Sequence, residues 1–544
     1  MKKLQIRVDA GNPLNELKRA WRYIGYDECN YTQAPEGKEL LRKFGQLKDA
    51  PYYVRTHHLF CTGNCHGTYK WGSANIYRED KQGNPIYNWE VVDDIMGILL
   101  ESNCKPFFEL GFMPMDLINP ELFQGLNDWE KYDSYRGKFW SYPPKDYKKW
   151  YDLVYQLVTH CVEKFGETEV LTWYWELWNE PDISYWRGTF EEFCMLYDYT
   201  EAAVHCALSA ARLGGPATTG PQQGSSSQVF LSRFLEHCAS GKNYYSEAVG
   251  ARLDYVTFHV KGGAFPFHPD APKATPSLKS FTQQVKLGLE TIKEHGFGDR
   301  EVVLSEADPD GWAAGGRYDN INMNYRNTEY YASYVAAGYH MIEKLAKEMH
   351  MDVRPLAWAF MFVGERCFEG TRTFSTQGID KAVLNLFKIY AKMGSRELPF
   401  SCSEDKDVLL YQDDFGTREA PLVSGMAATD DNHGVQVMVF SHHDDWDTPV
   451  DQEVEVTVEN YTFAEKIRYK HSRIDKLHSN AYTEWIKQGK PNYPTSQQYE
   501  EIKAKDTLEL LGSEETMEVK NGSVHIKFNL PAHAISLIEI CREA

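Results

Sequence analysis

Two glutamates carry the chemistry this chain is equipped to do. Glu180 closes the run Leu171-Thr-Trp-Tyr-Trp-Glu-Leu-Trp-Asn-Glu-Pro181, and Glu306 stands near the end of Glu301-Val-Val-Leu-Ser-Glu-Ala-Asp308. Each follows β-branched and aromatic residues that favour a buried strand, and a proline stops each run. Two carboxylates facing each other across one bond are what glycosidic cleavage needs: one gives and takes a proton, the other attacks or activates water. A lone glutamate at a strand end is more often a helix cap or a salt-bridge partner. A pair on one rim, with the amide of Asn179 beside the first, points to chemistry instead.

The elements that must position them alternate regularly from residue 20 to 395. Strands are predicted over 22–27, 52–60, 105–113, 172–180, 213–219, 254–262, 301–308 and 356–363. Helices are predicted between and after them, over 39–47, 91–102, 145–165, 190–208, 228–240, 278–294, 328–348 and 381–393. In the clearest helix Tyr147, Trp150, Tyr151, Val154, Leu157, Val158 and Cys161 fall on one stripe. Eight strands each followed by a helix predict an α/β fold, the (β/α)8 TIM barrel, with Glu180 on the fourth strand and Glu306 on the seventh, on the rim where barrel chemistry occurs. A doubly wound open sheet would need a glycine-rich phosphate turn after an early strand, and none is visible.

Beyond residue 396 the pattern turns to short alternating runs, as in Val435-Gln-Val-Met-Val-Phe-Ser and Val454-Glu-Val-Thr-Val. These, with Val408-Leu-Leu-Tyr-Gln, Val524-His-Ile-Lys-Phe and Ala534-Ile-Ser-Leu-Ile-Glu-Ile, predict an accessory antiparallel β-sandwich. The expected division is a barrel over 14–395 and a sandwich from 1–13 and 396–544, with a helical, turn-rich insert at 470–510. The alternating Leu4-Gln-Ile-Arg-Val would join the sandwich.

Composition narrows the function. The 544 residues bury a large core, and aromatic residues make up 14%, a proportion that suits stacking on sugars as well as core packing. A net charge of −20 argues against nucleic acid and against an anionic membrane surface. The longest apolar runs are strand-length, too short to span a bilayer. Two lysines after Met1 have no apolar stretch behind them, and the eleven cysteines are odd in number and scattered. Reduced thiols and a cytoplasmic location are therefore expected. Cys61-x3-Cys65-His66 has no second ligand pair nearby, so no metal is expected there. The cluster His442-His-Asp-Asp445 with Asp447 reads as a solvated turn rather than a cation site.

The pair on strands four and seven resembles the retaining barrel glycosidases of clan A. Several segments resemble glycoside hydrolase family 39, the β-xylosidases: Val54-Arg-Thr-His57, Ile76-Tyr-Arg-Glu-Asp80, Pro85-Ile-Tyr-Asn88, Lys105-Pro-Phe-Phe-Glu-Leu-Gly-Phe-Met-Pro114 and Pro143-Pro-Lys-Asp-Tyr147. Arg473-Ile-Asp-Lys-Leu-His-Ser-Asn-Ala-Tyr482 with Trp485 resembles its bacterial branch. The resemblance implies Glu180 as general acid/base, Glu306 as nucleophile and Asn179 on the sugar 2-hydroxyl. It implies His57 and His259 lining the sugar pocket, Trp358 as its floor, and Glu365 at the sugar's non-reducing end. Glu109 is as much an interior carboxylate as a ligand. One departure stands out: many members carry an aromatic residue two after the sixth-strand histidine, where this chain has Lys261. That lysine would favour an ionised Glu306 or reach a substrate hydroxyl, and the loop 308–314 would also tune specificity.

The expectation is a retaining exo-acting β-xylosidase working on short xylo-oligosaccharides, needing no cofactor and no metal, and able to form a homo-oligomer. The same mechanism on another sugar, such as an α-L-arabinoside, and a non-catalytic carbohydrate-binding protein are the alternatives.

Overall fold

The computed structural model describes residues 3–63, 72–127, 130–131, 137–263, 270, 272–311, 316–359, 364–370, 373–411 and 420–543. Seven parallel strands follow one another around a ring: β1 (Tyr23–Glu28), β2 (Tyr52–His57), β3 (Cys104–Leu110), β4 (Tyr174–Leu177), β5 (Arg212–Thr218), β6 (Tyr255–Lys261) and β7 (Glu301–Asp308). The eighth place is filled in two halves, β8 (Asp352–Pro355) and β9 (Ala357–Trp358). β8 pairs with β7 and β9 pairs with β1, so the ring closes. Leu356 joins the halves, donating to Leu304 O at 3.0 Å and accepting from Ala307 N at 2.8 Å. Neighbouring residues in a parallel ladder bond to opposite sides, so Pro355, next to Leu356, is not required to supply an N–H to β7.

Among the described residues, eight long helices cover the ring, one after each strand: α1 (Pro35–Gly45), α2 (Glu90–Glu101), α3 (Tyr147–Phe165), α4 (Phe190–Ala207), α5 (Ser226–Ser240), α6 (Leu278–Glu294), α7 (Glu329–Met349) and α8 (Ala382–Lys392). Their apolar stripes face inward; in α3 the buried residues are Trp150, Leu153, Val154, Leu157, Val158 and Cys161. The strands, covered on both faces, are buried almost throughout. The (β/α)8 barrel expected from the alternation is the fold.

The sandwich stands beside it. One sheet runs Phe400–Cys402, Leu4–Asp9, Gln452–Glu459 and Val524–Leu530; the other is built on Leu422–Thr429, Val435–His442, Ile535–Arg542 and Lys466–Ile474. Leu4–Asp9 does enter the sandwich, but parallel to Gln452–Glu459. Alternate residues such as Val8, Val437, Val456 and Ile538 fill the space between the sheets. Two expectations change. Val408–Leu410 is a 3-10 turn rather than a strand, because the Asp407 side chain caps it by accepting from Leu409 N at 2.9 Å. The insert begins as a strand, Lys466–Ile474, paired with Ile535–Arg542, and turns helical only later. Its helices Ala481–Lys487 and Ser496–Lys503 lay Tyr482, Trp485 and Ile502 on Cys367, Phe368 and Ile379 of the barrel. Among the described residues no helix is long and apolar enough to cross a membrane.

Candidate active site

Three strands slip register at the same rim. Asp27 on β1, Ala217 on β5 and Ser305 on β7 each stand where the pairing to the neighbouring strand jumps by one residue. Such bulges re-aim side chains and gather at active sites. The bulge at Ser305 immediately precedes Glu306. β4 ends earlier than expected, at Leu177 rather than Glu180, because the backbone leaves the strand: Trp178 and Glu180 both take left-handed φ, +66° and +48°. Non-glycine residues adopt this region at a cost of about 1 kcal/mol or more each, so the surroundings must hold it. Glu180 N donates to Ala217 O at 2.8 Å, and Trp178 Nε1 donates to Tyr185 O at 3.0 Å.

These turns open a cavity of about 400 Å³. Asp27, His57, Asn179, Glu180, Lys261 and Glu306 meet in it, with Phe112, Trp140 and Tyr185 forming an aromatic wall. Glu180, His259 and Glu306 each bring one donor atom to within 4.8 Å of the others. His259 Nδ1 lies 3.0 Å from Glu180 Oε1 and 3.8 Å from Glu306 Oε2.

Glu306 is held by cations on every side. Lys261 Nζ is 2.7 Å from its Oε2; His57 Nε2 and Arg55 Nη1 are 3.3 and 3.4 Å from its Oε1. Burial opposes ionisation, but Lys261, His259 and His57 outweigh it and keep the carboxyl well below its ordinary range. A further cation would have to displace these partners, which argues against the trio Glu180, His259 and Glu306 as a metal site. Below lies a buried network. Arg55 Nε bonds Glu176 Oε2 at 2.5 Å, and its Nη2 reaches Asn179 Oδ1 at 3.0 Å and Glu109 Oε2 at 3.1 Å. Glu109 also bonds His57 Nδ1. Burial alone would lower the basicity of His57, yet Glu109 and Glu306 overcome it and push its pKa up to about 10. His57 is therefore imidazolium across the neutral range.

A family profile for the glycosyl hydrolases of family 39 matches residues 4–509. This chain belongs to glycoside hydrolase family 39. The family-39 chain is 24% identical to a β-xylosidase of Geobacillus stearothermophilus over 97% of its own length and 94% of that protein's. It is 26% identical to the human α-L-iduronidase over 57% of its length and 42% of that protein's. In fold it matches a monomeric β-xylosidase from Caulobacter crescentus with TM-score 0.77 at 20% identity, covering 99% and 100% of the two chains. A bacterial orthologue of human α-L-iduronidase matches with the same TM-score and identity, covering 100% and 84%. The protein is thus a glycoside hydrolase, resembling bacterial β-xylosidases along nearly its whole length.

Of the residues singled out in the sequence, Glu180, Glu306, Asn179, His57 and Lys261 line the cavity, and His259 stands against both glutamates. Trp358 lies beneath, its ring 4.7 Å from that of His57. Glu365 is not among the lining residues; it accepts from Gly370 N at 2.8 Å, near the buried ammonium of Lys381. Burial, relieved only in part by Lys381, pushes its pKa up to about 7. Glu109 is an interior carboxylate rather than a lining one. Cys65, His66 and residues 312–314 of the loop after β7 lie outside the described residues; Asp445 and Asp447 are bridged by Lys273 at 2.5 and 2.6 Å.

Arg55 and Asp27, like the aromatic wall, carried no role in the sequence reading, and Asp308 entered it only as the first residue of a loop expected to tune specificity. Arg55 was legible as a charge inside the apolar run of β2, where burial demands partners. Asp27 lines the floor and accepts from Trp358 Nε1 at 2.6 Å. Asp308 accepts from Lys261 Nζ at 2.9 Å and from Trp358 N at 3.2 Å. Nothing local marked these two, because bulges and cross-barrel contacts bring them in.

Proposed function

We propose that this family-39 hydrolase is a retaining exo-glycosidase that releases xylose from the non-reducing ends of short β-1,4-xylo-oligosaccharides by double displacement. The observation that carries the reading is the approach of Glu180 and Glu306 oxygens to within 4.8 Å. Retaining pairs stand about 5–5.5 Å apart, whereas inverting pairs stand about 6.5–9.5 Å apart to admit a water.

Glu306, ionised by its ring of cations, attacks the anomeric carbon while Glu180 gives its proton to the departing oxygen. The C–O bond breaks and a glycosyl ester to Glu306 forms. Glu180, now a carboxylate, takes a proton from water as its oxygen attacks the same carbon; sugar and free Glu306 result. Asn179 Oδ1 is taken by Arg55, so its amide N–H groups face the cavity and donate to the sugar 2-hydroxyl. Asp27 on the floor suits a neutral sugar, accepting hydroxyls that a carboxylated ring would replace with repulsion. A cytoplasmic site of action on imported oligosaccharides fits this reading.

A second reading has one observation in its favour. Lys261 places an ammonium on the cavity wall, and the relatives include α-L-iduronidases. A uronide would use that ammonium for its carboxylate. Initial rates on 4-nitrophenyl β-D-xyloside and on a 4-methylumbelliferyl α-L-iduronide, with Glu306→Ala as control, decide between them. Turnover of the xyloside alone supports the first reading, and turnover of the iduronide alone replaces it.

A further inference from the structure

Glu180 sits in a turn that its own residues do not favour. Trp178 and Glu180 both take left-handed φ, so bonds to a neighbouring element have to hold the turn closed. The end of β5 supplies two of them. Glu180 N donates to Ala217 O at 2.8 Å. Two residues further along both segments, Thr219 N donates to Asp182 Oδ1 at 2.8 Å, and the Thr219 hydroxyl donates to Asp182 Oδ2. Ala217, at the bulge of β5, is itself left-handed, φ +52°, and its N donates to Thr257 Oγ1 on β6 at 3.0 Å. The anchor is thus fixed from the next strand in turn.

Asp182 keeps this clamp at an electrostatic cost. Burial pushes its carboxyl above the ordinary range, the two donations from Thr219 pull it back in part, and the charge of Glu180 pushes it up again. Glu306, Glu109, Glu176 and Asp308 each stand beside a cation. The hydrogen bonds to Asp182 come from the neutral groups of Thr219 instead, so an ion pair does not account for it. Thr219 lines the cavity with Glu180, which places the clamp in the wall beside the proton donor.

We propose that Asp182 is a positioning residue for the proton donor: by gripping the end of β5 it keeps the strained turn closed and Glu180 on the departing oxygen. The inference rests on the acid/base role given to Glu180 above. Released from Thr219, the turn relaxes toward ordinary φ and draws the Glu180 carboxyl away from the leaving oxygen. Glu306, held by Arg55 and His57 from β2 and by Lys261 from β6, keeps its place. Loss of the clamp therefore removes proton donation and spares nucleophilic attack.

The test compares kcat/KM on 4-nitrophenyl and phenyl β-D-xylosides. Nitrophenolate departs with little help, whereas phenolate needs the proton. Asp182→Ala is expected to lose about 30-fold on the phenyl glycoside and no more than about threefold on the nitrophenyl one, since misplacing a group by about 1 Å can cost about 100-fold. Asp182→Asn, which can still accept from Thr219 N, should recover most of the loss. In a Glu180→Ala background, adding Asp182→Ala should cost less than about twofold on either substrate, because the two act through one group. Equal losses on the two substrates, a loss that Asp182→Asn shares in full, or a second full loss in the Glu180→Ala background overturns the positioning role. Should Asp182→Ala fail to fold, Thr219→Val, which removes only the hydroxyl donor, takes its place in the comparison. If no xyloside is turned over, the xylosidase reading fails separately, and the same two aglycones on the sugar that is turned over carry the test. Equal losses for Glu180→Ala itself would instead remove the acid role on which the inference rests.

Discussion

Replacing Lys261 by methionine probes the electrostatics of the site most directly. Its ammonium is 2.7 Å from Glu306 and 2.9 Å from Asp308. Two unit charges about 4 Å apart attract by about 4 kcal/mol at an effective dielectric constant near 20. Asp308 claims the same ammonium, and His57 and Arg55 remain beside Glu306, so about half of that, ~2 kcal/mol, is lost to Glu306. At 1.36 kcal/mol per tenfold, kcat/KM should fall about 30-fold where ionisation of Glu306 limits the rate. The sign is set by the depressed carboxyl. In the wild type Glu306 stays ionised as pH falls; without the lysine it takes up a proton at higher pH. The acid limb of the kcat/KM profile therefore moves to higher pH, and the deficit shrinks as pH rises beyond it. Stopped assays on 4-nitrophenyl β-D-xyloside between pH 4 and 9, extracting kcat/KM at each pH, read this out. The same fractional loss at every pH, with the limb unmoved, would show that Lys261 acts on the substrate and refute the argument.

Other consequences are as specific. Glu306→Gly should lower turnover by at least about 10³-fold, and azide, taking the vacated face, should restore it as an α-glycosyl azide detectable by NMR, because a single displacement on a β-glycoside inverts the anomeric carbon. Glu180→Ala should lose far more kcat/KM on xylobiose than on the activated nitrophenyl glycoside, whose leaving oxygen needs little protonation. Arg55→Met removes the partner of three buried carboxylates and should destabilise the fold by about 3–5 kcal/mol, read from urea unfolding. In Gly25→Ala the new Cβ would lie 2.4 Å from the Trp358 ring. It should cost about 1–3 kcal/mol and lower activity by displacing the tryptophan that holds Asp27.

The barrel was legible because its strands are buried on both faces and its helices carry one apolar stripe, and both patterns are local. Glu180 and Glu306 were legible because each ends an apolar run where a carboxylate has no packing reason to be. The boundary of β4 was not, since left-handed turns at Trp178 and Glu180 carry no glycine to announce them. Val408-Leu-Leu-Tyr-Gln reads as a strand, but Asp407, whose side chain accepts from Leu409 N, caps Val408–Leu410 as a 3-10 turn.

What stayed hidden most completely is the chain of charges beneath the site. Arg55 on β2, Glu109 on β3, Glu176 on β4 and Glu306 on β7 come from sequence positions up to 251 residues apart, and no spacing rule links them. Yet Arg55, Glu109 and Glu176 are fully buried in stretches that burial should keep apolar, and charges enclosed in a closed ring must find their partners inside it. A buried cation on one barrel strand therefore implies carboxylates on its neighbours. Glu109 and Glu176 face each other in the register of β3 and β4, as that reasoning requires. The same constraint bears on catalysis. Arg55, His57 and Lys261 all reach Glu306 as well as Glu109, Glu176 and Asp308, whereas Glu180 touches only His259 among the basic groups of the site. Under the double displacement proposed above, the division of labour between two chemically identical side chains would follow from which of them the buried network reaches.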